Sequence, residues 1–382
     1  MMIRTLKAFA FHLPSLSVGL TFMTLSILFG SWLARLPEVQ SALALSEGQL
    51  GMALLGLPLG ALALMPFAGW LLKRLHTGRA MIFSTLLFCA SLPFPAFAQS
   101  QWALMGGLFI VGMFNSFMNI SMNAAAAAIE QQYRITIMSV CHGMFSLGAM
   151  IGAGSAGLVA AAGVPLQSHL IAVALLMVGL QLLLRPVIFA LPNSESDGSS
   201  FALPGKALLG LAFIGFCIMI GEGAVADWGA IYLRNILHAN PFVASLGYAG
   251  FSLAMALGRF AGDGIKMRFG AGRLVVIGSL LGAGGLAVVT LIPSAATAVL
   301  GFTLVGFGFS TVVPLLFSAA AKTPGVAPGT GIAAVASSGV VGFLIGPPLI
   351  GGIAEHFGLN FGLGVVAALA LTAAAVGRRV RM

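Results

Sequence analysis

Apolar residues come in long unbroken runs, cut by isolated charges and by Pro and Gly turns. A bilayer core takes roughly 20 mainly apolar residues per helix. The runs predict twelve spans, at about 13–34, 49–72, 80–98, 102–128, 137–162, 166–190, 206–234, 242–265, 273–293, 296–320, 329–354 and 357–377. Backbone inside lipid must satisfy its own hydrogen bonds, which leaves helices or a closed barrel. Barrel strands alternate apolar and polar positions, and these runs do not. The expected class is an all-α integral membrane protein with twelve transmembrane helices in two pseudo-symmetric six-helix halves around a central cavity. The first run is longer than the apolar core of a signal peptide and no typical cleavage site follows it, so it is expected to be a permanent span.

Loop charges give the orientation. With both termini on one side, sixteen of the 18 Lys and Arg residues fall on that side, and only Arg35 and Arg234 fall on the other. The positive-inside rule then makes both termini cytoplasmic, in a bacterial inner membrane. Composition agrees. Only 7% of the 382 residues are charged, 59% are hydrophobic and mean hydropathy is +1.06. A soluble chain carries about 25% charged residues, so a cytosolic enzyme, a secreted domain and a disordered chain are excluded. The basic balance reads as membrane orientation, since its charges are scattered between apolar runs; no nucleic acid partner is implied. Cys89, Cys141 and Cys217 lie inside apolar runs and form no CxxC pair, so they read as small apolar side chains.

Residues 191–205 form the longest polar stretch and read as a cytoplasmic linker between halves at 1–190 and 206–382. The halves repeat. Gly107, Gly112 and Ser116 recur as Gly301, Gly306 and Ser310, and Gly148 and Gly152 recur as Gly342 and Gly346. Parallel six-helix repeats are a transporter architecture with a site near the midplane.

Several motifs bear a resemblance. The segment from Gly258 to Arg273, GRFAGDGIKMRFGAGR, resembles the cytoplasmic gate motif of the major facilitator superfamily, with Asp263 as its aspartate. The equivalent loop from Gly69 to Arg79 departs from it, with Lys73 where the motif has Asp. The run from Met122 to Glu130, followed by His142 to Gly148, resembles a poorly characterised YbjJ-like branch, loosely similar to fucose-type sugar/proton symporters. The resemblance spans essentially the whole chain. It implies secondary transport by alternating access, with spans 1, 4, 7 and 10 around the cavity, and names no substrate.

The polar residues inside spans are the candidate chemistry. Asn115, Asn119 and Asn123 stand at i, i+4 and i+8 and make one stripe, continued by Glu130 and Arg134. Such a stripe reads as substrate-facing, or as hydrogen-bond glue between helices. Glu222 and Asp227 are intramembrane carboxylates, which are costly and usually functional. At i, i+5 they lie about 140° apart and share a face only if the helix breaks at Gly221, Gly223 or Gly229. They are the candidate proton carriers, with the structural acid as the bland reading. His142 and Glu130 are candidate relay groups, and a packed histidine is the equal alternative. Trp228 is a candidate substrate contact. Arg35 is a candidate outer-gate partner of Asp227, and Arg259 and Asp263, at i, i+4, a candidate gate latch.

Two motif matches fail. Gly152–Gly157 fits GxGxxG but lies in an apolar helix with no strand before it. The Gly-Pro run at 342–352 resembles an antiporter signature that belongs in span 5, where this chain has no proline. No Walker-type lysine motif, metal spacing or cofactor motif occurs, so no cofactor is expected. The reading is a transporter of a small polar solute, a sugar or sugar derivative, by proton-coupled symport. Proton-coupled efflux of drugs or metabolites is the alternative, and a membrane-embedded enzyme a remote one. The expected partners are the small-molecule solute, protons and the lipid bilayer, with the chain acting as a monomer.

Overall fold

The computed structural model describes residues 9–194 and 202–380. Among the described residues every regular element is helical, and twelve segments are long and apolar enough to cross a membrane. They are Leu13–Ala34 (span 1), Glu47–Leu75 (span 2), Thr77–Phe97 (span 3), Gln101–Tyr133 (span 4), Met138–Ala161 (span 5), Leu166–Phe189 (span 6), Lys206–Ile236 (span 7), Pro241–Gly262 (span 8), Ala271–Leu291 (span 9), Ala295–Ala320 (span 10), Pro328–Phe357 (span 11) and Leu359–Gly377 (span 12). Prolines set the internal breaks. Span 2 consists of the helices Glu47–Leu54 and Gly56–Leu75, and Pro58 removes the amide that Leu54 would otherwise bond. Span 10 is interrupted between Phe309 and Val312, where Pro314 removes the partner of Ser310's carbonyl.

The chain forms two compact units, Met1–Trp32 with Ala53–Asp197, and Leu33–Met52 with Gly198–Met382. The second therefore includes the short helix Leu36–Ala42 and most of the helix Glu47–Leu54. The linker expected over 191–205 lies partly outside the described residues. Its described ends are tied down, each within its own unit. Asn193 accepts from the Thr77 amide at 3.2 Å, the Ser194 amide donates to the Thr77 hydroxyl at 2.9 Å, and the Ala202 amide donates to Ser337 at 3.3 Å.

Small residues let the helices touch backbone to backbone, the usual packing inside a bilayer. In the first unit Gly112 lies against the Leu57 carbonyl, Gly107 against Pro95, and Gly148 against the Met23 carbonyl. In the second, Gly306 lies against the Phe251 carbonyl, Gly301 against Val289, and Gly342 against the Phe216 carbonyl. Both members of each pair are displaced by 193 or 194 residues, so the internal repeat is a repeat of helix crossings and not of composition alone. Buried polar pairs add register. In the first unit Gln181 donates to Thr24 at 2.9 Å and accepts from Thr21 at 3.2 Å, joining spans 1 and 6.

Candidate transport site

In the second unit, span 7 carries both intramembrane carboxylates. Its helix runs unbroken over Leu209–Ile231, through Gly221, Gly223 and Gly229, and ends in a π-helical turn at Tyr232–Ile236. Tyr232 anchors that end by donating to the Val289 carbonyl at 2.9 Å. Glu222 and Asp227 are both half-buried. The neighbouring helix Pro241–Phe269 presents Tyr248, Ser252 and Arg259, at i, i+4 and i+11, on one face. Arg259 interacts electrostatically with Glu222 and with Tyr248. Tyr248 is hydrogen-bonded to Ser252 and lies within electrostatic reach of both carboxylates. Two acids, one guanidinium, a phenol and a hydroxyl thus lie along the neighbouring spans 7 and 8.

Several expectations meet a different arrangement. Arg259, expected against Asp263, also interacts electrostatically with Glu222; the Asp263 side chain lies outside the described residues. Helix continuity removes the break that would bring Glu222 and Asp227 onto one face, and Tyr248 reaches both of them from span 8. Trp228, expected to touch solute, is fully buried, with its ring against Gly351. It offers no surface to a solute in this structure, and its indole nitrogen meets no acceptor among the described residues. Arg35, expected against Asp227, forks onto Glu38, with contacts of 2.5 and 2.6 Å.

Other groups of the Leu33–Met52 segment are held within the same unit. Gln40 accepts from Asn235 at 3.0 Å, and the Glu355 carboxylate accepts from the Gly48 amide at 2.9 Å. A cleft of about 690 Å³ lies here, lined by Pro37, Glu38, Ser41, Arg234, Asn235 and His238. It shares no lining residue with the Glu222 cluster. It is a vestibule at the span ends, and the intramembrane chemistry lies elsewhere.

In the first unit, Asn119 is exposed, while Asn115 and Asn123 are half-buried. The Asn123 amide donates to the Asn119 carbonyl at 2.8 Å and to its side-chain oxygen at 2.9 Å. None of the three amides is sealed against another helix. The stripe stops short of Arg134, which caps span 4 in the left-handed conformation at φ 55°. That turn brings Glu130 onto the start of span 5, where one oxygen accepts from the Ile137 and Met138 amides at 2.6 and 2.8 Å. His142 packs edge-on against Phe22, with ring centroids 5.2 Å apart.

Glu130 therefore has a helix-capping role, and its loss tests this. Glu130→Ala should destabilise the protein by about 1.5–3 kcal/mol, the range for hydrogen bonds to a charged group. Glu130→Gln, which keeps an acceptor oxygen, should cost less. Thermal unfolding in detergent measures both, and equal stability of the Ala variant and the parent would remove the capping role.

The chain matches the Major Facilitator Superfamily profile over residues 15–221. The chain belongs to this superfamily. An uncharacterized transporter of Yersinia pestis is 30% identical over 364 residues, covering 95% of each chain. Membrane protein MosC of Rhizobium meliloti is 31% identical over 349 residues, covering 90% of this chain and 84% of that one. The fold is shared with superfamily transporters of known structure. A bacterial homolog of the human lysosomal transporter Spinster, inward-facing and occupied, aligns with a TM-score of 0.74 at 15% identity over 96% of both chains. The nucleoside transporter NupG aligns with a TM-score of 0.72 at 14% identity, over 97% of this chain and 99% of its own. A D-xylose-proton symporter aligns at 0.72 and 15%, over 96% and 98%.

The repeated glycines and the intramembrane acids are visible in the sequence. Tyr248 and Ser252 are not, and neither is the partner of Arg259. A signal for the last exists. Arg259 lies inside the expected range of span 8, and an intramembrane cation calls for an acid on a neighbouring span.

Proposed function

We propose that this transporter moves a small polar solute, a sugar or sugar derivative, together with protons across the bacterial cytoplasmic membrane. The observation that carries the reading is the electrostatic interaction of Glu222 with Arg259 on adjacent spans, with Tyr248 within electrostatic reach of both and of Asp227. A carboxylate whose counter-ion is fixed beside it has two states, ion-paired and protonated, and they place different charge in the membrane. Protonation then biases whichever rocking state tolerates the altered charge. The amide stripe Asn115, Asn119 and Asn123 supplies neutral donors and acceptors of the kind hydroxyl-rich solutes need. The proposed halves are residues 1–190 and 206–382, with both termini cytoplasmic, and the proposed working unit is a monomer.

Proteoliposomes test the coupling. Imposed pH gradients of each sign separate uptake with protons from expulsion against them, and expulsion would replace symport by the efflux reading. A thermal-shift screen of sugars, nucleosides, amino acids and drugs identifies the solute, because a ligand that binds the folded state alone raises its apparent stability. Once a solute is in hand, Asn119→Ala or Asn123→Ala should weaken its binding by about 1 kcal/mol or more, the net value of a hydrogen bond. Expression should hold, since neither amide is buried. Unchanged affinity in both variants would assign the stripe to helix packing.

A further inference from the structure

We propose that the second unit carries a binding site for an anionic phospholipid, with an acyl chain in the groove between spans 8, 9 and 10 and the phosphate held by Lys266, Arg268 and Arg273. The groove holds about 130 Å³ and its walls are apolar, among them Ile265, Phe269, Leu274, Ile277, Leu281 and Phe307. Its depth follows from how its walls pack. Gly278 and Gly308 bring spans 9 and 10 together backbone to backbone, and span 10 is interrupted at Ser310 and Thr311, which also line the groove. Ile277, Leu281 and Phe307 are 41%, 38% and 44% exposed. Inside a bilayer the medium meeting such a surface is acyl chain.

The chain at the head of the groove carries three cations. Each of the three cations is the sequence neighbour of a wall residue: Lys266 follows Ile265, Arg268 precedes Phe269, and Arg273 precedes Leu274. Arg268 stacks its guanidinium over the Phe269 ring at 5.6 Å, at the rim of the groove. Between them the chain turns at Gly270, φ 78°, and the helix Ala271–Leu291 begins. Its first turn carries no acid and no side-chain cap, which leaves free amides at this helix start. Helix amino termini favour anions, and phosphate above all. Three cations and an uncapped helix start beside an apolar slot match a headgroup phosphate joined to a chain. Basic pockets between transmembrane helices bind anionic headgroups in this way. A free solute would match only one of the two halves.

Native mass spectrometry of the full chain in mild detergent, with added phosphatidylglycerol or phosphatidylcholine, tests the site. Phosphatidylglycerol should bind at least tenfold more tightly than phosphatidylcholine. Lys266→Gln with Arg268→Gln and Arg273→Gln should lower phosphatidylglycerol affinity tenfold or more, to the phosphatidylcholine level. Arg268→Lys with Arg273→Lys should retain the preference, which separates charge from folding damage. Ile277→Trp, which fills the groove from an exposed position, should weaken both lipids. Undiminished phosphatidylglycerol binding in the neutralised variant overturns the site. Loss on neutralisation with no effect of Ile277→Trp overturns the chain-in-groove assignment. Displacement of phosphatidylglycerol by equimolar inorganic phosphate makes the site one for phosphate alone and overturns the lipid.

Discussion

Glu222→Gln is expected to abolish uphill solute accumulation in proteoliposomes while exchange of solute across the membrane continues. The amide keeps the shape of the protonated acid but cannot release a proton, so one state of the carrier is removed and the gradient loses its handle. With one proton moved per solute, a gradient of one pH unit supports about tenfold accumulation, the ratio that 1.4 kcal/mol gives. In Glu222→Gln that ratio should fall to about one, and counterflow of labelled solute should persist, because binding and rocking need no net proton movement. Asp227 stands five residues further on in the same unbroken helix and is the rival. If Glu222→Gln still accumulates solute and Asp227→Asn does not, the carrier is Asp227. Accumulation in both single variants and in the double variant would remove span 7 from proton coupling.

The spans are legible in the sequence because a bilayer permits only helices or closed barrels, and the apolar pattern tells them apart. A long unbroken apolar run fits little except a membrane-crossing helix, and all twelve stand within a few residues of their expected places. The ends are less legible where hydropathy and helicity part company. The apolar run of span 4 stops at 128, yet its helix continues to Tyr133. Glu130, Gln131 and Gln132 are good helix formers but poor membrane residues, so the apolar signal fades before the helix does. The break in span 2, by contrast, follows directly from Pro58. The site divides along the same line. Glu222, Asp227 and the three asparagines announce themselves because polar side chains are rare in spans. Their partners do not, because partnership depends on which helices pack together. Arg259 has Asp263 one turn away, and local spacing points there; the electrostatic interaction with Glu222 on the preceding span is not visible in that spacing. Spacing alone makes Glu130 a relay candidate. Its capping bonds depend on the left-handed turn at Arg134, a conformation rare for a non-glycine residue that spacing does not disclose.

Arg259→Gln should be the most destabilising of the single charge changes, and its damage should be largely reversed by adding Glu222→Gln. Removing one partner of a buried ion pair costs about 3–5 kcal/mol, because the other charge is left uncompensated. Both side chains here are half-buried, so the expected loss is smaller, about 2 kcal/mol. The double variant has no charge left to strand. Its stability should lie within about 1 kcal/mol of the parent, since neutral replacement of such pairs is often harmless. Unfolding in mixed micelles gives the four corners of the cycle, and a coupling energy well above the roughly 0.5 kcal/mol additivity error identifies a direct pair. A second cycle joins Arg259→Gln to Asp263→Asn. If Arg259 serves mainly as a latch within its own helix, coupling appears there and not with Glu222. If it serves as the fixed counter-ion of the proton carrier, coupling to Glu222 dominates, and Arg259→Lys, which keeps the charge but not the fork, should recover most of the stability. Additive losses at Arg259 and Glu222 would dissolve the pair and, with it, the two-state charge switch on which proton coupling through span 7 rests.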